Sequence, residues 1–182
     1  MLQVNSCSIY QCVSSPISCN LKNFRNINKH SGQNVEETTI GYVDVKSQPV
    51  QFYVQSQTNN TQDPSNPNAA VQYDKVLLND GNGFGPTTGI FTAPRRGTYL
   101  FNFAGVDLPG NEELVVGLYK NGNLIGSFYA VNHGAAPIPS ILRLAADDAI
   151  QMSIITPNGM LFGNPSNAFT HFTGVLLEED IF

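Results

Sequence analysis

Residues 73–103 read YDKVLLNDGNGFGPTTGIFTAPRRGTYLFNF, and this stretch decides the fold. Near its end, Tyr99, Phe101 and Phe103 alternate with Leu, Asn and Ala, which predicts a β-strand with all three aromatic rings on one face. Each ring removes about 150–250 Å² from water when it is buried. Near its start, residues 79–83 hold two asparagines and two glycines after an apolar run and predict a turn. The stretch is therefore β-structure with an aromatic core.

The same alternation continues on both sides of this stretch. Upstream, Val50, Phe52 and Val54 are separated by polar or aromatic residues, and downstream Asn121-Gly122 separates two apolar runs, a strong hairpin signal. The predicted strands outside the aromatic one are residues 50–54, 71–78, 114–120, 124–131, 141–144, 150–154 and 169–177. The strands 141–144 and 150–154 are expected to pair across a turn at 145–148. Short strands with no helical pattern between them favour a sandwich or jelly roll.

Eight positions of the opening stretch carry the spacing of a known signature. They are Tyr73, Asn79, Phe84, Phe91, Gly97, Tyr99, Phe101 and Phe103. This pattern resembles the globular C1q domain, with Tyr73 where that family usually has Phe. Gly97 is interpreted as a tight backbone bend before the aromatic strand. Two later segments, residues 142–150 and 169–177, resemble the family's Leu-x-Leu-x-x-Gly-Asp-x-Val and closing strands, with Asp147 in place of Gly.

The resemblance covers roughly residues 47–182 and implies an all-β fold. That fold is a ten-stranded jelly-roll β-sandwich of the C1q/TNF-like type, which assembles as a compact trimer. Residues 1–46 are interpreted as a polar N-terminal tail or lead-in, with four basic and three acidic residues and no clear periodicity. The expected organisation is therefore a tail followed by one C1q-like globular domain.

Composition limits the partners of the chain. Only 13% of its 182 residues are charged, its net charge is −5, and its nine basic residues are scattered, whereas nucleic-acid binding needs a basic stripe. No apolar run approaches the roughly 18–20 residues of a membrane helix, so membrane insertion is not expected. The three cysteines, Cys7, Cys12 and Cys19, lack the close pairs of a zinc site, which favours free or interchain thiols.

The location of the protein is predicted from two opposing observations. The family resemblance implies an extracellular protein. The first twenty residues, however, have no basic start and no 7–15-residue apolar run, so they form no convincing signal peptide. Either the protein stays inside the cell, or its true start lies upstream. An extracellular protein would also expose Asn59, the acceptor of an Asn-Asn-Thr glycosylation motif in a predicted loop.

No catalytic site is predicted. His30, His133 and His171 show no metal-ligand spacing, and no G-x-S-x-G motif places a nucleophile. Residues 80–85 begin like a calcium loop, but Phe84 and Phe91 occupy the positions where ligands are needed. The expectation is that the protein is not an enzyme.

Asp148 is the candidate metal ligand. Asp147 and Asp148 suit a solvated turn, because Asp favours turns. The resemblance implies a second role, in which the acid at position 148 helps to hold calcium near the apex of a trimer. Three copies of one carboxylate would repel each other, and a hard cation would relieve that repulsion. Calcium is thus a candidate cofactor, and no cofactor is required.

The expected function is multivalent recognition. A homotrimer would bind carbohydrate or repetitive surface ligands through exposed loops, as a lectin or pattern-recognition protein of innate immunity does. The alternative is a structural or cytokine-like trimer that binds a protein receptor. The acidic pair Glu112-Glu113 is one loop tip where a ligand could bind, and Glu178 to Asp180 is interpreted as a solubilising end.

Overall fold

The computed structural model describes residues 48–108, 113–131, 134–135 and 137–180. The expected tail, residues 1–46, and its cysteines lie outside the described residues, as do His30, His133 and Glu112. Within the described part there is no helix, and hence none that is long and apolar enough to cross a membrane.

The described residues form twelve strands. They are β1 (Gln51–Ser56), β2 (Asn60–Thr61), β3 (Lys75–Asp80), β4 (Phe84–Gly85), β5 (Ile90–Thr92), β6 (Gly97–Ala104), β7 (Leu114–Lys120), β8 (Asn123–Ala130), β9 (Ile138–Leu144), β10 (Ala149–Ile154), β11 (Met160–Leu161) and β12 (Thr170–Glu179). Ten of them make two five-stranded sheets, ordered β3-β1-β12-β6-β9 and β4-β5-β10-β7-β8. The remaining two, β2 and β11, form a separate short ribbon. The expected all-β, ten-stranded jelly-roll sandwich is confirmed, with this ribbon added.

The core lies between the two sheets and is strongly aromatic. Tyr99, Phe101 and Phe103 on β6 are at most 1% exposed, so the predicted single buried face is confirmed. Phe52 on β1 stacks on Phe84 and Phe91 of the opposite sheet, with ring centroids 4.9 and 5.2 Å apart. Such ring pairs stabilise a core beyond the area that they bury.

The β7–β8 hairpin follows its prediction. Asn121 and Gly122 both have positive φ angles, 50° and 77°, as a type I′ turn requires. An Asn-Gly pair adopts these angles at low cost, because glycine has no Cβ and Asn tolerates the left-handed region.

Two local predictions are wrong. Residues 141–144 and 150–154 do not pair with each other, because β9 pairs with β6 in one sheet and β10 pairs with β5 and β7 in the other. The turn at 145–148 thus carries the chain across the sandwich. The strand predicted at 71–78 begins only at Lys75, although Val71 and Tyr73 before it are buried.

The role of Gly97 in the structure also differs from the tight bend that the sequence predicts. It is the first residue of β6 and pairs with Glu179 of β12 inside the ladder. A Cβ atom at position 97 would collide with the carbonyl oxygen of Glu178. Glycine is therefore needed there because two backbones approach each other closely.

The candidate sites are described below by the end of the sandwich at which they lie. At the terminal end, β1 begins and β12 ends, close to the turns at 93–96, 121–122 and 145–148. At the opposite end, called here the loop end, lie the long connections 57–74 and 155–169.

Candidate functional site

The signature residues are structural. Its aromatic residues are all at most 3% exposed. Asn79, its polar member, binds the turn between β3 and β4: its side-chain amide donates to the carbonyl oxygen of Phe84 (2.9 Å) and accepts from the Phe84 amide (3.1 Å). This double hydrogen bond aligns the turn so that Phe84 enters the core. The sequence pattern thus identifies the fold, and the binding residues must be sought elsewhere.

Tyr73 is unusual among the signature residues. Its ring packs against Phe84 and Phe172, but its buried hydroxyl has no hydrogen-bond partner within the described part of the chain. Burial raises the pKa of the Tyr73 hydroxyl well above its ordinary value. By contrast, the Tyr99 hydroxyl donates to the carbonyl oxygen of Arg95 at 2.7 Å. The hydroxyl at position 73 therefore carries a desolvation cost that Phe would avoid.

Asp148 lies at the terminal end, in the turn that connects the two sheets. Its Oδ2 is 2.8 Å from the Nζ of Lys120 and accepts from the Ala145 amide at 2.8 Å. Its Oδ1 accepts from the side-chain amide of Asn121 at 2.7 Å. These partners, led by Lys120, lower the pKa of Asp148 to about 2. The carboxylate therefore joins the β7–β8 hairpin to the β9–β10 turn as a charged group.

The same contacts test whether Asp148 suits a metal ion. The Lys120 ammonium occupies the position on Oδ2 that a cation would take. No group of three or more His, Cys, Asp or Glu side chains that could hold a metal occurs among the described residues. Asp147 adopts a positive φ of 69°, a conformation that the Gly of the family pattern accepts more easily. A single subunit does not fit calcium at this turn, and we expect Asp148 to keep its partner Lys120, rather than calcium, in an assembly as well.

The acidic C-terminal residues form ion pairs with three arginines. Asp180 accepts hydrogen bonds from Arg96 (3.0 Å) and from Arg143 (2.9 Å), while Glu179 pairs with Arg95 (3.0 Å). These contacts connect the end of β12 to the turn before β6 and to β9. Two of the three residues interpreted as a solubilising end therefore hold strand ends together.

Exposed apolar side chains lie mainly at the edges of the sheets. Nine large ones are exposed within the described part: Val76, Leu77, Leu78, Leu124, Ile125, Tyr129, Val131, Ile141 and Leu177. The first three lie on β3, at one edge of its sheet. Most of the others lie on or next to β8 and β9, which come together at the opposite side of the sandwich. An edge strand with exposed apolar residues invites pairing with another chain unless something covers it.

The loop end carries the remaining candidates. The exposed Asn59 accepts a hydrogen bond from the Gly163 amide at its Oδ1 (3.0 Å), which leaves its Nδ2 without a partner in the described residues. His171 faces Tyr53 at 5.8 Å between ring centroids, and its Nδ1 lies 3.2 Å from the Ala168 carbonyl oxygen. Glu113 is exposed.

A cleft of about 290 Å³ opens at the loop end. Polar side chains of the connection after β2 line its walls, among them Gln62, Asp63 and Asn66, and Val71 and Ile154 form its apolar floor. Sequence reasoning missed this cleft, because its floor is formed by Val71 and Ile154, which are 83 positions apart and which only the folded chain brings together. The amide-rich run 57–68 was the one available signal.

Comparison with known proteins finds relatives that share part of this sequence. Human complement C1q tumor necrosis factor-related protein 3 is 35% identical over 119 residues, which cover 63% of this chain and 47% of the relative. Mouse complement C1q tumor necrosis factor-related protein 7 is 34% identical over 116 residues, covering 60% and 39%. The chain thus matches less than half of the length of either relative.

Solved structures agree on the fold. The globular domain of zebrafish complement 1qA protein superposes with a TM-score of 0.56 at 19% identity, covering 72% of this chain and 99% of that one. Murine APRIL superposes with a TM-score of 0.57 at 14% identity, covering 72% and 100%. In sequence, the model of the C1q domain matches residues 51–177. Since that match runs from the first residue of β1 into β12, the chain belongs to the C1q domain family.

Proposed function

We propose that this chain is an extracellular recognition protein that assembles as a homotrimer and binds carbohydrate or repetitive surface ligands. It performs no catalysis in this proposal. Family membership supports the general class, because C1q/TNF-like domains serve in recognition and signalling. The loop end is the proposed ligand face, because long loops on a rigid scaffold commonly carry binding residues.

The proposal that the chain forms a trimer rests on the position of the exposed apolar side chains. Leu77 on β3 and Ile141 on β9 are 47% and 66% exposed, on opposite edges of one five-stranded sheet. Two different apolar surfaces on opposite sides suit a heterologous contact, in which each subunit offers one surface to each neighbour. Such contacts form a closed ring when the rotation between subunits permits it. A ring of three covers both surfaces in every subunit.

Assembly into a trimer would raise the affinity for a repetitive surface. One loop-end site on a small domain binds weakly, whereas three sites on one particle bind a repetitive surface together, so that the second and third contacts form at high effective concentration. The distribution of basic residues suits an uncharged ligand at the loop end. Four of the five described Lys and Arg residues lie at the terminal end, on the far side from the proposed ligand face.

A cytokine-like trimer that binds a protein receptor is the second candidate. The names of the curated relatives, which describe tumor necrosis factor-related proteins, favour it. The fold is also that of APRIL. In this reading the sides of the trimer, rather than its loop end, contact the partner.

Two measurements test the proposal. Sedimentation equilibrium of the full chain should give the mass of three chains. Beads coated with glycans should be agglutinated by the protein, and free glycan should reverse agglutination. A monomer would contradict the avidity mechanism, and a trimer whose cell-surface partner resists every free glycan would favour the receptor alternative.

A further inference from the structure

The cleft at the loop end has the features of a small binding site. We propose that it is a subsite for one neutral sugar residue of a glycan ligand, an inference that rests on the function proposed above. The cleft lies between the connection after β2 and the end of β10, and none of the exposed large apolar side chains at the two edges lines it. The apolar surfaces proposed for the trimer and the residues of the cleft are therefore different sets.

One wall of the cleft is fixed in place. The Oδ1 of Asn60 accepts from the Gln72 amide (2.7 Å), and its Nδ2 donates to the Oγ of Ser56 (2.6 Å) and to the carbonyl oxygen of Gln72 (3.0 Å). The backbone amide of Gln62 also donates to the carbonyl oxygen of Gly159 (3.1 Å). Because these bonds hold the wall before a ligand arrives, binding would lose little conformational entropy there.

The polar groups that face the cleft are free to bind. The side chains of Thr61, Gln62 and Asn66 line it and make no hydrogen bond within the described part of the chain. Together they offer a hydroxyl and two amides, each of which can donate and accept. Sugar hydroxyls also donate and accept, so this set of groups matches neighbouring hydroxyls on one ring.

The floor of the cleft is apolar. Val71 and Ile154 are 3% and 4% exposed, and Pro67 adds another apolar surface at the rim. Binding sites for small molecules combine such apolar surfaces with a few placed polar groups. A pyranose ring also combines apolar and polar surfaces, with C–H groups on its faces and hydroxyls at its edge. The volume of about 290 Å³ lies at the lower bound of ordinary ligand sites, which favours one ring over an extended chain.

Charge selects among sugars. The residues that line the cleft include no Lys or Arg, and they include Asp63. The Asp63 carboxylate accepts hydrogen bonds from the hydroxyl (2.6 Å) and the amide (2.8 Å) of Ser65. These bonds lower the pKa of Asp63, so its carboxylate is charged at neutral pH. An acidic sugar would be repelled, and a neutral hexose or N-acetylhexosamine would not.

NMR titration of the full chain made in bacteria, which adds no N-linked glycan, tests this site. The probes are the methyl glycosides of mannose, galactose, N-acetylglucosamine and sialic acid. At least one neutral glycoside should shift the amide signals of residues 60–72 with a dissociation constant on the order of 1–10 mM, whereas the sialoside should not. Absence of such shifts with all three neutral glycosides at 50 mM, or stronger binding of the sialoside, would overturn the proposal.

Variants identify the groups involved. Asn66→Ala and Gln62→Ala should each weaken binding about 3- to 10-fold, because each removes one or two hydrogen bonds. Asn167→Ala is the matched control, since Asn167 is exposed on another loop at the same end and does not line the cleft. Equal affinity in all three variants would place the sugar elsewhere.

Failure of the sugar subsite and failure of the proposed function would give different experimental results. If the trimer agglutinates glycan-coated beads but Asn66→Ala agglutinates them equally well, the cleft is not the subsite and the recognition function stands. If the cleft binds a sugar in a protein that stays monomeric, the subsite stands and the multivalent mechanism fails.

Discussion

The Nζ of Lys120 lies 2.8 Å from the Oδ2 of Asp148, at the point where the last residue of β7 meets the turn between the two sheets. Hydrogen bonds from Asn121 and Ala145 to the same carboxylate extend this contact. The pair holds a hairpin of one sheet against the turn that leaves the other, and it sets the behaviour of this end of the sandwich towards acid and towards calcium.

Acid should weaken this contact in a defined range. The folded-state pKa of Asp148 is lowered from 3.8 to about 2, so its stabilising effect is complete above pH 5 and is lost as the pH falls towards 2. Asp148→Asn should therefore reduce the free energy of unfolding by about 1–2 kcal/mol at pH 7. The difference from the unmodified protein should shrink towards pH 2. Urea unfolding at fixed protein concentration measures both. Asp147→Asn is the control, and an equal effect there would contradict a specific role for Asp148.

Calcium should not change the stability of the protein. Since Lys120 already neutralises Asp148, the melting temperature should be the same in millimolar calcium and in excess chelator. Differential scanning calorimetry of the full chain checks this. A melting temperature that rises in calcium, returns in chelator and becomes insensitive in Asp148→Asn would instead establish a calcium site at this residue.

Two tyrosines should respond differently to loss of the hydroxyl, because only one of the two hydroxyls has a hydrogen-bond partner among the described residues. Tyr73→Phe removes a buried hydroxyl without a partner and should leave the protein as stable or up to about 1 kcal/mol more stable. Tyr99→Phe removes a hydroxyl that donates to Arg95 and should destabilise by about 1 kcal/mol. Chemical denaturation of the two variants compares them directly. A loss of stability in Tyr73→Phe would show that its hydroxyl is satisfied in solution.

A charge at the β9 edge should break the trimer. Ile141 is 66% exposed in the single chain, and Ile141→Lys would place an ammonium in the proposed contact with a neighbour. The mass in sedimentation equilibrium should fall from three chains to one, while the circular dichroism spectrum stays that of a β-protein. Thr92→Lys, on an exposed position of β5 in the other sheet, is the control. A trimer that tolerates Ile141→Lys would place the interface elsewhere.

Asn59 should carry an N-linked glycan when the chain passes through a eukaryotic secretory pathway. Its Nδ2, the atom that is glycosylated, has no partner in the described residues, and Thr61 is exposed. Mass spectrometry should show the glycan in the unmodified protein and in Thr61→Ser, which keeps the acceptor motif, but not in Thr61→Ala. Asn164-Pro165-Ser166 is an internal control, because proline blocks that motif. An unglycosylated secreted protein would contradict the prediction.

Local patterns predicted most of the fold. The alternation of Tyr99, Phe101 and Phe103 and the Asn121-Gly122 turn each follow from neighbouring residues, and both were confirmed. The pairing of β9 and β10 was mispredicted, because a short turn between two strands looks the same in sequence whether it closes a hairpin or crosses between sheets. Which sheet a strand joins depends on distant partners.

The candidate site was less predictable for the same reason. Asp148 was found through the family pattern, but its partner Lys120 lies 28 positions earlier and carries no local signal. The pairing of Asp180 with Arg96 spans 84 positions. Ion pairs and clefts formed by distant segments depend on the fold, and no periodicity of the sequence encodes them.

The two ends of the described domain lie on the same side of the sandwich, and this has a practical result. Because β1 runs antiparallel to β12, Gln48 and Asp180 both lie near Arg95 and Arg96, opposite the loop end. A fluorophore, biotin or fused protein attached directly before Gln48 or directly after Asp180 would thus be held on the far side from the cleft. A biosensor surface that captures the domain through such a tag would present the loop end, with the connections 57–74 and 155–169, to the solution.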